Sequence, residues 1–344
     1  MKLLKNQKGI ALFLVLWVLV LLSVIVGEFS HAMRTEINIA RNFRDEAQAY
    51  YIAQAGIYQA IFELIKTETK PPQLQGVEFD KKEEKPRWRI NADIAAENFA
   101  GGSFKVRIDN ESGKFDLNTA DEDVLKIMLA PFSLDAHQKD VIADSVQDWR
   151  EEGNFHRVNG AKNDYYQSLP EPYSCKNAEF DSTEELLLVR GMTQEIYDGL
   201  KEMITVYRGD TYADKHSVFG GGEYAKTAEK KKININAASA EVLRLLPKMT
   251  EEIIQNITEY RKDKDFESDA EIAAVLGPGV QTALMPYITL KKYPFFTITS
   301  LGMIQDSDIR QVIRVLVEID PAMDKKYRIV QWSDRYDFSK QSRN

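Results

Sequence analysis

The chain is short of the residues that build covalent frameworks and many active sites. Cys175 is its only cysteine in 344 residues. No intramolecular disulfide can therefore form, even in an oxidising compartment, and Cys175 reads as a partly buried structural thiol. The four histidines, His31, His137, His156 and His216, are scattered, and none stands in a His-Glu-x-x-His or Cys-His pattern. No Gly-x-Ser-x-Gly turn and no Walker A loop occurs. That excludes a nucleotide-driven motor and leaves no catalytic constellation, so the chain does not read as an enzyme. Basic residues are in deficit. The formal charge of −8 argues against a general nucleic-acid footprint, although a local basic patch remains compatible with it. Low complexity is confined to Lys81-Lys82-Glu83-Glu84-Lys85.

One long apolar run is present, and it opens the chain. Lys2, Lys5 and Lys8 lead to Gly9, and Ile10 to Gly27 follow with Ser23 as the one polar side chain. Glu28 ends the run. Eighteen residues at about 1.5 Å rise span roughly 27 Å, enough to cross a bilayer core. The lysines predict a cytoplasmic N-terminus, with everything after Glu28 on the far side, in the periplasm of a two-membrane cell. A cleaved secretory signal is the alternative. The run is long for one, and Ile25-Val26-Gly27 is a poor small-x-small site.

The junction Lys8-Gly9-Ile10-Ala11-Leu12-Phe13 resembles the class III signal of type IV pilins and pseudopilins. The resemblance implies that a membrane-embedded prepilin peptidase cuts between Gly9 and Ile10 and methylates the new N-terminus at Ile10. Losing the three leader lysines leaves the mature chain at −11. The fifth mature position, usually glutamate in that family, is Leu14 here. A carboxylate in lipid is costly unless paired, and in the family it pairs with the N-terminus of a neighbouring subunit. The pseudopilin that usually lacks it is the large minor pseudopilin K of type II secretion, placed at the filament tip.

Beyond Glu28 the helical pattern continues. Phe29, Met33, Ile37, Ala40, Phe43, Ala47, Tyr51, Ala55, Tyr58, Phe62 and Ile65 recur at close to 3.6 residues, which predicts one apolar stripe on a helix from about Ile10 to Thr67. Pro71-Pro72 marks its stop. Alternation predicts strands over Trp88–Ile94 and Ser103–Asp109, with Ala100-Gly101-Gly102 turning between them, and again over Phe295–Leu301, Arg314–Asp320 and Tyr327–Trp332. The fold class is α+β: a long N-terminal helix packed on an antiparallel sheet built from both ends of the chain. A helical block of roughly 180 residues, with no strand pattern of its own, is inserted in it.

That block contains a repeat. Leu117-Asn118-Thr119-Ala120 to Val124-Leu125 matches Ile235-Asn236-Ala237-Ala238 to Val242-Leu243. Each asparagine sits where an N-cap belongs. Phe180-Asp181-Ser182-Thr183-Glu184-Glu185-Leu186 matches Phe266-Glu267-Ser268-Asp269-Ala270-Glu271-Ile272, with Ser182/Glu185 and Ser268/Glu271 as capping boxes. The first copy carries about 32 extra residues near Asp148 to Asn177. Gly220-Gly221-Gly222 reads as a linker. The divisions are a leader at 1–9, a membrane span at 10–27, helix and first strands at 28–112, and a first helical unit at 113–208 with its loop at 148–177. A linker at 209–231, a second unit at 232–292 and closing strands at 293–344 complete the chain.

The block resembles SAM-like and helix-hairpin-helix folds. Hairpins of that kind hold DNA phosphate where glycines let backbone amides approach. Leu246-Pro247-Lys248-Met249-Thr250 and Leu129-Ala130-Pro131-Phe132 lack those glycines, while Leu276-Gly277-Pro278-Gly279-Val280 keeps two. The loop Asp148-Trp149-Arg150-Glu151-Glu152-Gly153, with Gly160-Ala161-Lys162 and Tyr165-Tyr166, resembles a stretch of K pseudopilins that in some members binds calcium. Asp148, Glu151, Glu152 and Asp164 are the candidate ligands for a weak calcium site. Gly153 and Lys162 depart from the pattern, and a lysine repels a cation.

Together with Glu185-Leu186-Leu187-Leu188-Val189-Arg190-Gly191 and the closing Tyr327-Arg328-Ile329-Val330-Gln331-Trp332, these stretches resemble the K pseudopilins over nearly the whole chain. The resemblance implies a single-pass inner-membrane protein that caps and nucleates the pseudopilus with minor pseudopilins I and J, in support of protein export across the outer membrane. The major pseudopilin, the prepilin peptidase and the inner-membrane assembly platform are further expected partners, with the secretin or secreted cargo at the top. A type IV pilus tip subunit and a membrane-anchored DNA-binding protein are the rival readings.

Overall fold

The computed structural model describes residues 8–68, 88–92, 94–208, 231–305 and 307–334. Leader residues 1–7, Pro71-Pro72, the charged stretch at 81–85 and the linker from 209 to 230 lie outside the described residues.

Helix α1 (Lys8–Glu68) runs unbroken for 61 residues, about 90 Å at 1.5 Å per residue. It is exposed from residue 11 to 44 and is long and apolar enough to cross a membrane. Its last third docks through Ala49, Ile52, Ala53, Ile57, Ala60, Ile61 and Leu64, each at most 4% exposed. This is not the face expected from the stripe of large side chains. Phe43, Tyr51 and Phe62 are 67%, 64% and 59% exposed. The reason is the close approach of the helix to the sheet. A Cβ on Gly302 would lie 2.1 Å from the Ala49 carbonyl oxygen, and one on Gly56 would lie 2.4 Å from Ser300 Oγ. Small residues form that contact, and flanking Ile and Leu side chains contribute roughly 1.5–3 kcal/mol each on burial. The helix therefore has two apolar faces, and the aromatic one is left uncovered.

The sheet is antiparallel throughout and has five strands, each hydrogen-bonded to the next in the order β1 (Glu97–Phe99), β2 (Gly102–Asn110), β7 (Phe295–Ile304), β8 (Arg310–Ile319) and β9 (Tyr327–Asp334). Both ends of the chain build it, as the alternation indicated. Ala100 and Gly101 both take positive φ, the two-residue geometry that matches the twist of a hairpin. The strand expected over Trp88–Ile94 does not form. Asn91 sits at φ 56° and breaks the extended run, while Trp88 and Ile94 plug the core between helix and sheet.

Between Asn110 and Phe295 lie two helical units. The first runs from β3 (Phe115–Asp116) to β4 (Ile204–Thr205) and holds α2 (Glu122–Met128), α3 (Ala136–Arg150), α4 (Asn163–Tyr166) and α5 (Gln194–Leu200). The second runs from β5 (Ile233–Asn234) to β6 (Ile288–Thr289) and holds α6 (Ala240–Leu245), α7 (Glu251–Asp263), α8 (Asp269–Leu276) and α9 (Pro278–Leu284). The block was expected to contain no strand. Instead each unit is closed by a parallel bridge, β3 on β4 and β5 on β6. Two residues are too few to show a period. The units share one apolar cluster that reaches from Phe115 to Ile288.

The matched asparagines are not N-caps. Asp121 and Ser239, three residues on, cap α2 and α6. Asn118 donates to the Phe180 carbonyl at 3.0 Å and accepts the Phe180 N–H at 2.7 Å. Asn236 does the same with Phe266, at 2.9 and 2.8 Å. So the asparagine of the first repeated motif grips the phenylalanine of the second, in both copies. Ser182 and Glu185 form the expected box, Glu185 accepting the Ser182 N–H at 3.2 Å. Ser268 caps α8, but Glu271 turns back to the Glu267 N–H at 2.9 Å.

Candidate functional site

The extra loop of the first unit leaves the end of α3 and is folded on an aromatic core. Tyr166 is fully buried and packs edge-on against Trp149 at 5.2 Å. Tyr173 lies 5.3 Å away on another side. Burial raises the Tyr166 hydroxyl well above its usual range. Cys175 is buried beside the Asp148 and Trp149 carbonyls, and burial likewise raises its thiol. That is the environment of an inert thiol.

The four candidate calcium ligands are not gathered into a cage. Asp148, 1% exposed, accepts Arg157 Nη1 at 2.8 Å and the Arg157 N–H at 3.0 Å. Glu151 takes the same guanidinium through both oxygens at 2.8 Å. Hydrogen bonding to Arg157 holds its carboxyl below the usual range. Glu152 is exposed, and Asp164 faces His156 at 3.6 Å. Lys162, 2% exposed, donates Nζ to the Glu151 carbonyl and to Asn177 Oδ1. Calcium needs six to eight oxygens. Among the described residues no group of three or more His, Cys, Asp or Glu is placed to hold a metal. The residues present do not fit a calcium ion, because two cationic side chains already hold its oxygens. Gly160 is required at the base, since a Cβ there would lie 1.7 Å from Asp148 Oδ2.

Sequence reasoning missed Arg157, and it also missed a pair of arginines that close the repeats. Arg150, at the end of α3, donates to the Leu117 and Ala120 carbonyls. Arg261, in the last turn of α7, donates to the Ile235 and Ala238 carbonyls at 2.9 and 2.7 Å. Burial lowers both guanidinium groups, Arg261 to about 10. The available signal was an aromatic-arginine pair, Trp149-Arg150 and Tyr260-Arg261, at matching ends of two helices.

The block is tied to the helix-and-sheet part by polar contacts. Glu111, 2% exposed, accepts Lys114 Nζ at 2.7 Å and Thr297 Oγ1 at 2.6 Å. Burial pulls its carboxyl up, but Lys114, Thr205 and Thr297 outweigh that and hold it below the usual range. Arg314 on β8 pairs with both oxygens of Glu202 at 2.9 Å. Asn91 donates to the Ala237 carbonyl at 2.6 Å, and Arg89 meets Asp265 at 2.7 Å.

At the other end of the molecule, Gly9 and Ile10 lie in the first turns of α1. Leu14 is 57% exposed on the apolar run. The two hairpins of the second unit differ, and Gly277 between α8 and α9 and Gly279 in the first turn of α9 keep open space around them. The α6–α7 connection puts Lys248, not glycine, at φ 61°. Helices α7 and α8 open with Glu251, Glu252, Asp269 and Glu271, which repel an anion.

The architecture is matched by a chain of the crystal structure of the GspK-GspI-GspJ complex from the type 2 secretion system of enterotoxigenic Escherichia coli. The match has a TM-score of 0.56 at 15% identity and covers 86% of this chain and 98% of that one. At that identity it establishes the fold. The family described as type II secretion system (T2SS), protein K, matches residues 107–209, the first helical unit with its loop. Over that stretch the chain is similar to the type II secretion protein K family. The candidate type II secretion system protein K of Escherichia coli (strain K12) is 22% identical over 217 residues. That stretch is 58% of this chain and 63% of the relative, so the chain spans less than two thirds of the relative's length. Residues 228–283 match a helix-hairpin-helix motif, a stretch that contains most of the second copy of the repeat.

Proposed function

We propose that this minor pseudopilin stands at the tip of a type II secretion pseudopilus, where it nucleates and caps the filament with minor pseudopilins I and J. The observation that carries the reading is the uncovered aromatic face of α1. Phe29, Phe43, Tyr51 and Phe62 continue the apolar surface of the membrane segment beyond lipid on an open face, with Tyr58 at its border packing partly on Trp332 of β9. An apolar stripe of that length is the surface on which other helices pack. The two inserted units widen the top of the molecule, which favours an end position over one between stacked subunits. Leu14 in place of glutamate agrees with this, since no subunit above is offered a carboxylate. Cleavage between Gly9 and Ile10, N-methylation of Ile10, an N-terminus on the cytoplasmic side and a periplasmic globular part belong to the same reading. So do a structural, non-enzymatic role and support of folded-protein export.

Cysteine cross-linking in cells that carry the secretion system tests it. Cysteines at Phe43 and Tyr58 are expected to form disulfides with cysteines in the long helices of I or J. Cross-links of both positions to the major pseudopilin along the shaft would overturn the tip assignment.

A further inference from the structure

We propose that Lys162 and Arg157 supply from within the chain the two positive charges that a bound calcium ion would bring, so that the loop at 148–177 closes without metal. The oxygens at the base of this loop are of the kinds a hard divalent cation takes: carboxylate, backbone carbonyl and side-chain amide. The Glu151 carbonyl and Asn177 Oδ1 converge on the buried Lys162 ammonium. The Asp148 and Glu151 carboxylates converge on the Arg157 guanidinium. Two carboxylates face two cations, so the cluster is neutral, as it would be around one divalent ion. Buried charges persist only when paired or hydrogen-bonded: Arg157 has both carboxylates within hydrogen-bond distance, and the Lys162 ammonium is held by two neutral oxygens beside them. Asp144 adds a third fastening, accepting the Asn159 N–H at 3.1 Å and Nδ2 at 3.2 Å. The closed loop holds Phe155 and Val158 almost wholly in solvent, at 97% and 95% exposure. The inference goes beyond the filament role and stands whatever position the subunit takes.

The test is thermal unfolding of the full chain in detergent micelles, with chelator and with millimolar calcium, together with limited proteolysis of the loop. The wild-type chain is expected to melt at one temperature in both conditions. Arg157→Gln, at a half-buried side chain that tolerates replacement, is expected to melt at least about 4 °C lower. It should also be nicked between residues 151 and 159. Lys162→Glu is expected to gain a calcium-dependent rise in melting temperature, since the seat of the ammonium then adds a carboxylate to the existing oxygens. A wild-type chain that melts lower in chelator than in calcium overturns the proposal. So does an Arg157→Gln chain as stable and as protease-resistant as wild type, or a folded Lys162→Glu chain indifferent to calcium. If Lys162→Glu does not fold in either condition, Arg157→Gln decides alone.

Discussion

Replacing Asn236 by alanine is the sharpest way to ask whether the repeated clamp holds each helical unit together. The amide is 8% exposed and makes two bonds to one backbone unit, donating to the Phe266 carbonyl at 2.9 Å and accepting its N–H at 2.8 Å. Truncation strands both backbone groups where water does not reach. Each stranded group costs about 1–3 kcal/mol, so the loss should be about 2–6 kcal/mol. Asn118→Ala removes the same pair of bonds in the first unit. That asparagine is half-buried, so water can take up the freed groups and the loss should be about 1–2 kcal/mol. Urea unfolding of the two variants measures the difference, and hydrogen exchange at the Phe266 amide reads the clamp directly. Exchange there should accelerate in Asn236→Ala and stay at the wild-type rate in Asn118→Ala. A loss under about 0.5 kcal/mol with Phe266 still protected would show that the clamp is incidental. A larger loss at Asn118 than at Asn236 would refute the scaling with burial.

Three further outcomes follow from the geometry. Gly160→Ala drives a methyl group into Asp148 Oδ2, and calorimetry should show a loss of about 1–3 kcal/mol, as for overpacking elsewhere. Glu111 is held below the usual carboxylate range in the fold. Its contribution is therefore present above the ordinary glutamate value and lost as the pH falls through the lower folded one. Glu111→Gln should flatten that acid limb of the stability profile, and a limb of unchanged steepness would refute the assignment. In a gel shift at low salt, where phosphate-driven binding is strongest, no retarded DNA is expected despite the helix-hairpin-helix match. A salt-sensitive shift would show that the acidic helix starts do not exclude phosphate.

The parts legible in advance were those carried by neighbours in sequence. The apolar run from Ile10 to Gly27 announces a helix long and apolar enough to cross a membrane without any fold. The strands at Phe295, Arg310 and Tyr327 show their period along the chain. The repeat was visible as two matched motifs, but their connection was not. Asn118 and Phe180 lie 62 positions apart, and Asn236 and Phe266 lie 30 apart. A polar residue before a helix reads as a cap unless one knows which backbone groups would otherwise be stranded. The candidate metal ligands misled for a related reason. Carboxylates in a row suggest a cation, and only the folded loop shows that the cations are Arg157 and Lys162.

By itself the sequence determined that the chain opens with a long helix apolar enough to cross a membrane, that sheet strands come from both ends, and that a duplicated helical block lies between. Those properties are set by hydropathy and period, which act locally. Tertiary structure alone decided which of two apolar faces of α1 meets the sheet. The backbones approach closely at Gly302 and Gly56, so the small-residue face wins and the aromatic face stays largely exposed. Packing likewise chose the partners of the buried amides and charges, because the cost of leaving such groups unpaired exists only once water has been excluded.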